Sequence, residues 1–174
     1  MDILVSSNLE RLIFHLLGND AAKTKELMEK LVSEGEYTLS GANQVILDMF
    51  EAGFATEVET SAEIKRVYDA CDYVEDPHTA VASAVYQKYV ERIGDHTPTV
   101  IASTASPYKF PRVVVEAVSG QAPADDFVAV KELEKLSGVA IPKAVNGLET
   151  AEVRHKTVVA TSDMQNAVED YLGL

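Results

Sequence analysis

Residues 99–110, TVIASTASPYKF, change character halfway along the segment. The first half is an apolar, β-branched run typical of a strand, and the second half carries the signals that begin a helix. Ser106 can cap that helix and Pro107 suits its first position, which leaves backbone N–H groups free to face a ligand. Open sheets bind ligands at such strand-to-helix corners, so this corner is a candidate functional site. On local chemistry alone, an ordinary capped helix after an ordinary strand is the favoured interpretation, because such corners are common.

Caps and glycines divide the rest of the chain into helices. Polar capping residues precede runs in which apolar side chains recur every three or four residues, and glycines end most of these runs. One helix ends at Gly138, and the other predicted helices open at Ser7, Asp20, Ser40, Thr60, Asp76, Pro107 or Pro111, and Ser162.

Four short segments are predicted to be strands: residues 1–5, 54–59, 99–103 and 153–160. We therefore predict an α/β chain that is mostly helical with a few short strands. By length, residues 1–174 form a single segment. Within it we expect helical hairpins in 7–53, a strand–helix corner region in 54–118, and C-terminal helices with one short strand in 119–174.

Charge and cysteine content limit the classes of partner. The chain has 28 acidic and 15 basic residues and a formal net charge of −13, which argues against nucleic acid and against an anionic membrane. No apolar run approaches the roughly 20 residues that span a bilayer. The single cysteine, Cys71, excludes an internal disulfide and suits a reducing compartment. These features predict a cytoplasmic protein.

The residues contain no self-sufficient active site. The nine glycines do not cluster into a loop that could grip a phosphate, and the four histidines and one cysteine lack metal-site spacing. No metal is therefore predicted. His78 lies in the first turn of a helix, where the helix dipole favours a neutral ring that can donate a hydrogen bond into a polar pocket. A solvated first-turn residue is the alternative interpretation.

Several segments resemble one known family. TASPYKF is similar to the TAHPAKF-type motif of threonine synthase, MDILVSSNLERLIF is similar to that family's MDILVSSNFERLL, and VEDPHTAVA at residues 74–82 resembles its DPHTAVG. VRHKTVVATSDMQNAVEDYL is a weaker match. The matches fall in the family's order and span nearly the whole chain. Ser106 stands where many relatives have His and Tyr108 where many have Ala, so a role that needs an imidazole at residue 106 is in doubt.

The resemblance implies a fold and a reaction. Threonine synthase is a fold-type II pyridoxal-phosphate enzyme that converts O-phosphohomoserine and water to threonine and phosphate. This chain looks like its C-terminal portion, so the resemblance places the Schiff-base lysine and the phosphate-gripping loop in a missing N-terminal portion and implies no catalytic residue here. Thr104 falls where the fold type places a hydroxyl beside the pyridine nitrogen. The candidate substrate-binding residues are Asn8, His78, Thr79, Ser106 and Lys109. Lys109 and the helix amides after Ser106 suit an anionic substrate group, and a plain surface charge is the alternative for Lys109. Asn8 heads another helix, where capping alone is the alternative.

Two other interpretations remain open at this point. One is an acidic helical interaction module without catalysis, and the other is a different fold-type II lyase, such as a dehydratase. We expect the isolated chain to be inactive. We also expect it to self-associate through apolar surface that the missing portion would cover.

Overall fold

The structure is a computed structural model that describes residues 5–40 and 48–174. Within these ranges the regular structure is entirely helical, with three short 3-10 turns at Pro107–Lys109, Leu148–Thr150 and Thr161–Asp163. The α-helices of the described ranges are α1 (Ser7–Leu16), α2 (Ala21–Glu34), α3 (Glu57–Cys71), α4 (Pro77–Ile93), α5 (Pro111–Ser119), α6 (Asp126–Ser137) and α7 (Met164–Leu172). The prediction of a mostly helical chain is confirmed.

Helices α3 to α6 enclose the core. α3 packs against α4 and α5, and α5 packs against α6. Ile64 of α3 and Leu133 of α6 are fully buried between them. The core cluster also contains Val74, Ala80, Tyr108, Val114, Val115, Val118 and Val130. Because β-branched residues are poor helix formers, the burial of Val114 and Val115 stabilises α5, as the sequence predicted.

The ends of α4 follow the sequence signals. Asp76 caps the helix, Pro77 occupies its first position, and Gly94 ends it with a left-handed backbone, φ 73°. This is the helix that the sequence predicted from Asp76 to about Ile93. Because α4 also packs against α3, its N-terminus is held at a fixed place beside the core.

The N-terminal hairpin consists of α1 and α2, which pack against each other. Ile13 and Leu16 are the buried residues of α1, and Asp20 caps α2 as predicted. Residues 41–47, which hold most of the helix predicted from Ser40, lie outside the described residues.

The strand predictions were wrong where the structure tests them. No residue of the described ranges lies in a strand. Residues 99–103 are irregular and Val100 is 95% exposed, because a strand needs a neighbouring strand to pair with and the described residues supply none. Residues 54–59 instead contain the start of α3 at Glu57. Residues 153–160 are also irregular, and most of the 1–5 segment lies outside the described residues.

Three predicted capping residues were also wrong. Ser6, not Ser7, caps α1 through its hydroxyl and the Leu9 N–H. α3 begins one turn earlier than predicted, with Thr56 and Glu59 forming the capping box. α7 has no side-chain cap, so the predicted role of Ser162 is not found.

The apolar face of α7 is exposed. The spacing of its apolar residues predicts a buried face, but Met164, Val168, Tyr171 and Leu172 are each more than half exposed. The strongest contact of α7 is with the short turn Thr161–Asp163 that precedes it. Amphipathic spacing therefore predicted the helix correctly but not a partner for it. Within the described residues, no helix is long and apolar enough to cross a membrane.

Candidate functional site

Asp76 is the best-buried polar group beside the candidate corner. Only 1% of its surface is exposed. One carboxylate oxygen accepts hydrogen bonds from the backbone N–H groups of His78, at 2.9 Å, and Thr79, at 3.4 Å. The other oxygen lies in close hydrogen-bond contact with the Thr79 hydroxyl. Asp76 thus caps α4 and also fixes the side chain of Thr79.

Thr79 links α4 to the TASPYKF corner. Its hydroxyl oxygen lies 2.9 Å from that of Ser103, which is 24 residues further along the chain. Thr79 is buried and Ser103 is exposed, so the bond joins the rim of the core to the surface segment. It brings VEDPHTAVA into direct contact with the residue that immediately precedes TASPYKF.

Thr104 follows Ser103 and is exposed. Among the described residues its hydroxyl has no hydrogen-bond partner. A threonine hydroxyl both donates and accepts, so Thr104 presents a free neutral polar group at the corner. The residue before it, Ser103, is the one bonded to Thr79.

Phe110 joins two other candidates. Its ring lies 5.3 Å from the His78 ring in an edge-to-face arrangement, and 5.6 Å from the Lys109 ammonium group. Both geometries are favourable for aromatic rings. Ser106 caps the turn Pro107–Lys109 by accepting from the Tyr108 N–H at 3.3 Å, as predicted. The Ser106 cap therefore fixes the backbone of the short turn that ends at Lys109.

Two open cavities meet at Phe110. One, of about 390 Å³, is lined by His78, Phe110 and parts of α3 and the segment before it. The other, of about 570 Å³, is lined by Lys109, Phe110 and parts of α5 and α6. His78 and Lys109 therefore line separate cavities, and Phe110 lines both.

Asn8 stands apart from this group. Its side-chain oxygen accepts a hydrogen bond from Arg11 on the same helix, at 3.2 Å. Among the described residues, no hydrogen bond or ring contact joins Asn8 to Thr104, His78 or Lys109. The structure thus brings together the candidates on α4 and the corner, and not the one on α1.

A buried acidic cluster next to this site was missed by sequence reasoning. Glu63 of α3 forms a two-pronged ion pair with Arg66, at 2.7 and 2.8 Å, and accepts a hydrogen bond from the Ser83 hydroxyl. The Arg66 bonds lower the pKa of Glu63 below its ordinary value. The sequence signal for this cluster is Glu63 itself, which lies on the buried side of α3. Hydrophobic periodicity assigns charged residues to the solvent-facing side of a helix, so it does not predict this burial.

Glu75 belongs to the same cluster and precedes Asp76. It is 5% exposed, and among the described residues one of its carboxylate oxygens has no hydrogen-bond partner. Burial, and then the charge of Glu63, raise the pKa of Glu75 to about 7. Removing a carboxylate from water disfavours its charged form, so Glu75 is largely protonated below neutral pH. Among the described residues, no group of three or more acidic, His or Cys side chains is placed to hold a metal.

Comparison with known proteins gives one consistent result. A family model described as "Threonine synthase, C-terminal" matches residues 79–171. Threonine synthase of Corynebacterium glutamicum is 36% identical over 127 residues, covering 71% of this chain and 26% of that relative. Threonine synthase of Saccharomyces cerevisiae is 31% identical, covering 99% of this chain and 35% of that relative. The chain therefore spans about a quarter to a third of the length of these relatives.

A solved structure agrees with these relatives. The crystal structure of PLP-bound threonine synthase from Brucella melitensis superposes with a TM-score of 0.69 and 32% sequence identity. The match covers 99% of this chain and 32% of that protein. At this level of identity and overlap the similarity extends over both sequence and fold.

Proposed function

The chain belongs to the threonine synthase family, and we propose that it supplies the cofactor-ring side of an enzyme that converts O-phosphohomoserine and water to threonine and phosphate. The observation that supports this role is the free hydroxyl of Thr104 at the corner, beside the Thr79–Ser103 bond. Thr104 also occupies the position that the TASPYKF motif assigns to the ring partner. The substrate and the cofactor are both part of the proposal.

The residues present fit pyridoxal phosphate at its ring nitrogen. A neutral hydroxyl can donate a hydrogen bond to an unprotonated ring nitrogen, whereas a carboxylate, which only accepts, would favour the protonated nitrogen. When bound, pyridoxal phosphate supplies the ring that withdraws electrons from the substrate. The role of Thr104 is to hold that ring nitrogen at a fixed place and to tune its electron demand.

Two groups in this chain are suited to an anionic substrate. Lys109 is exposed and lines the 570 Å³ cavity, where its ammonium group can attract a phosphate. His78, with its ring packed on Phe110, lines the neighbouring cavity and can donate a hydrogen bond. We propose that both bind substrate, with Thr79 and Ser106 positioning the backbone around them. For Asn8 the proposal rests on the family motif alone.

We propose that the Schiff-base lysine and the loop that binds the cofactor phosphate lie in a part of the enzyme outside these 174 residues. This chain covers 26% and 35% of two threonine synthases, which supports the proposal. Fold type II and a cytoplasmic location are also part of the proposal. They rest on the motif and on the single cysteine.

We expect the purified 174-residue chain to form no threonine from O-phosphohomoserine and pyridoxal phosphate, because it has no recognisable Schiff-base lysine. Amino-acid analysis against a no-protein control measures this. Threonine above the control would contradict the expectation that essential parts lie elsewhere.

A chimeric enzyme tests the proposed function directly. The C-terminal third of the Brucella melitensis enzyme is replaced by this chain, as the alignment over 99% of the chain allows. We expect the chimera to bind pyridoxal phosphate and to release threonine and phosphate. A chimera that binds the cofactor but yields no threonine, while the parent enzyme does, would contradict the proposed reaction.

We expect the isolated chain to self-associate. Phe54, Val58 and Val100 are each more than three-quarters exposed, and apolar surface of this kind tends to find partners. The net charge of −13 opposes association, and salt screens that repulsion. Light scattering should show a larger mass as salt increases. A monomer at every salt and protein concentration, without binding of a hydrophobic dye, would contradict this expectation.

A further inference from the structure

We propose that Asp76 is a positioning residue that, through Thr79 and Ser103, holds the segment bearing Thr104 against the N-terminus of α4. This inference deepens the proposed function and rests on the role of Thr104 in it. Asp76 itself is buried under the helix and does not face either cavity. It acts on the site only through the two hydroxyls.

The chemistry of the three groups fixes the direction of the hydrogen bonds. A carboxylate has acceptors only, so the Thr79 hydroxyl donates to Asp76. That hydroxyl has a single hydrogen, and its contact with Ser103 at 2.9 Å must therefore be one in which Ser103 donates. The chain of donors runs from Ser103 to Thr79 to Asp76. If residue 76 donated a hydrogen bond to Thr79 instead of accepting one, Thr79 would have to donate to Ser103, and Ser103 would have to accept.

Asp76 differs from an ordinary helix cap. Asp20 caps α2 in a similar way, accepting from the Lys23 N–H at 3.0 Å, but its other oxygen lies 3.5 Å from the exposed Lys23 ammonium group. The Thr24 hydroxyl next to it donates to the Asp20 backbone carbonyl and not to its carboxylate. The Asp20–Thr24 pair is therefore a natural control, a cap beside a buried threonine without a link to a distant segment.

The link to Ser103 matters because the segment has few other attachments. Among the described residues, the Thr79–Ser103 bond is the one hydrogen bond that joins residues 99–105 to a helix. The Ser106 cap that follows is local to the turn. A segment with so few bonds is free to move unless this one holds it.

The first experiment measures the anchoring itself, without cofactor. In the 174-residue chain, Thr79→Val removes the hydroxyl and keeps the side-chain shape. We expect the NMR order parameters of Ala102 and Ala105 to fall from about 0.85 toward about 0.6 or below. Thr24→Val, the same change in another buried first-turn threonine, should leave them unaltered. Order parameters unaltered in Thr79→Val would overturn the proposal.

The second experiment measures the effect on the cofactor in the chimeric holoenzyme. Asp76→Asn keeps one side-chain oxygen, which can still cap α4. Its amide group replaces the oxygen that accepts from Thr79 with a donor, so the hydrogen bonds among residues 76, 79 and 103 must run in the opposite direction. We expect a shifted absorption band of the bound cofactor and a turnover number about ten-fold lower with little change in KM. Asp20→Asn should change neither.

The outcomes separate this inference from the proposed function. If Thr104→Val shifts the absorption band and Asp76→Asn does not, the positioning role of Asp76 is overturned. If Thr104→Val leaves the band unchanged, the ring contact of Thr104 fails, and loss of order in Thr79→Val still supports the anchoring of the segment. A shifted band in both variants supports the proposal in full.

Discussion

The free energy of unfolding of this chain should fall by about 3 kcal/mol as the pH rises from 4.5 through 7 and beyond. The group responsible is Glu75. Burial raises its pKa from the ordinary value of 4.5 to about 7 in the folded protein. Each unit of such a shift is equivalent to about 1.4 kcal/mol.

The sign follows from proton binding. Between the two pKa values the folded state holds the Glu75 proton and the unfolded state has lost it, so raising the pH favours unfolding. Glu63 and Asp76 add to the effect because their negative charges oppose ionisation of Glu75, whereas Arg66 and the Ser83 hydroxyl oppose the shift. The pKa of Glu63 is lowered instead, so its contribution is lost only as the pH falls below its ordinary pKa of 4.5.

Urea unfolding from pH 4.5 to 8.5, followed by circular dichroism, measures the effect. Glu75→Gln has nearly the shape of the protonated side chain and cannot ionise. We expect this variant to match the wild type near pH 5 and to be more stable by up to about 3 kcal/mol at pH 8. Glu63→Gln is a second test, because it breaks the Arg66 ion pair and should destabilise the chain, while loss of the Glu63 charge should make the fall in stability with pH smaller. A wild type with constant stability from pH 5 to 8 would contradict the account of Glu75.

Local signals predicted the helices where several signals agree. At α4, an Asp cap, a Pro at the first position and a Gly at the end give the observed bounds. At α3 the spacing of a capping box occurs twice, as Thr56 with Glu59 and as Thr60 with Glu63. The sequence pattern cannot choose between them. The structure uses the first pair as the cap and buries Glu63 against Ser83.

Predictions that depend on a distant partner failed. The β-branched run before Ser103 has the composition of a strand, but composition cannot say whether a pairing strand lies beside it. The apolar face of α7 was predicted correctly as a pattern, yet Tyr171 is 90% exposed because no described helix covers it. In both cases the missing information is the identity of the neighbouring element.

In the candidate site too, local features could be predicted from the sequence and contacts between distant residues could not. A motif within one segment suggests Thr104, Ser106 and Lys109 as site residues, and of these predictions the structure confirms the Ser106 cap. The bond between Thr79 and Ser103 joins residues 24 positions apart, and nothing local indicates it. Glu75 was missed because the raised pKa depends on burial and on Glu63 of another helix.

Thr104→Val should have the largest effect on the reaction. In the chimeric holoenzyme this change removes the hydroxyl and keeps the size of the side chain. Loss of a hydrogen bond to a buried ring nitrogen costs on the order of 1–3 kcal/mol, which corresponds to a turnover number roughly 5- to 150-fold lower. The fold should be retained, because Thr104 is exposed and outside the core.

Thr99→Val is the matched control for this prediction. It makes the same chemical change five residues earlier, where the hydroxyl donates to the Thr97 carbonyl at 2.9 Å and to no other described residue. Turnover and cofactor absorption should both remain at the level of the unaltered chimera. A loss in both variants would indicate a general disturbance of the segment.

The decisive measurement is the absorption spectrum of pyridoxal phosphate bound to the Thr104→Val chimera, because the ring nitrogen controls the electronic state of the cofactor. The claim that this chain supplies the ring partner predicts a shifted band in Thr104→Val and an unshifted band in Thr99→Val. A Thr104→Val enzyme whose spectrum and turnover both equal those of the unaltered chimera would contradict it.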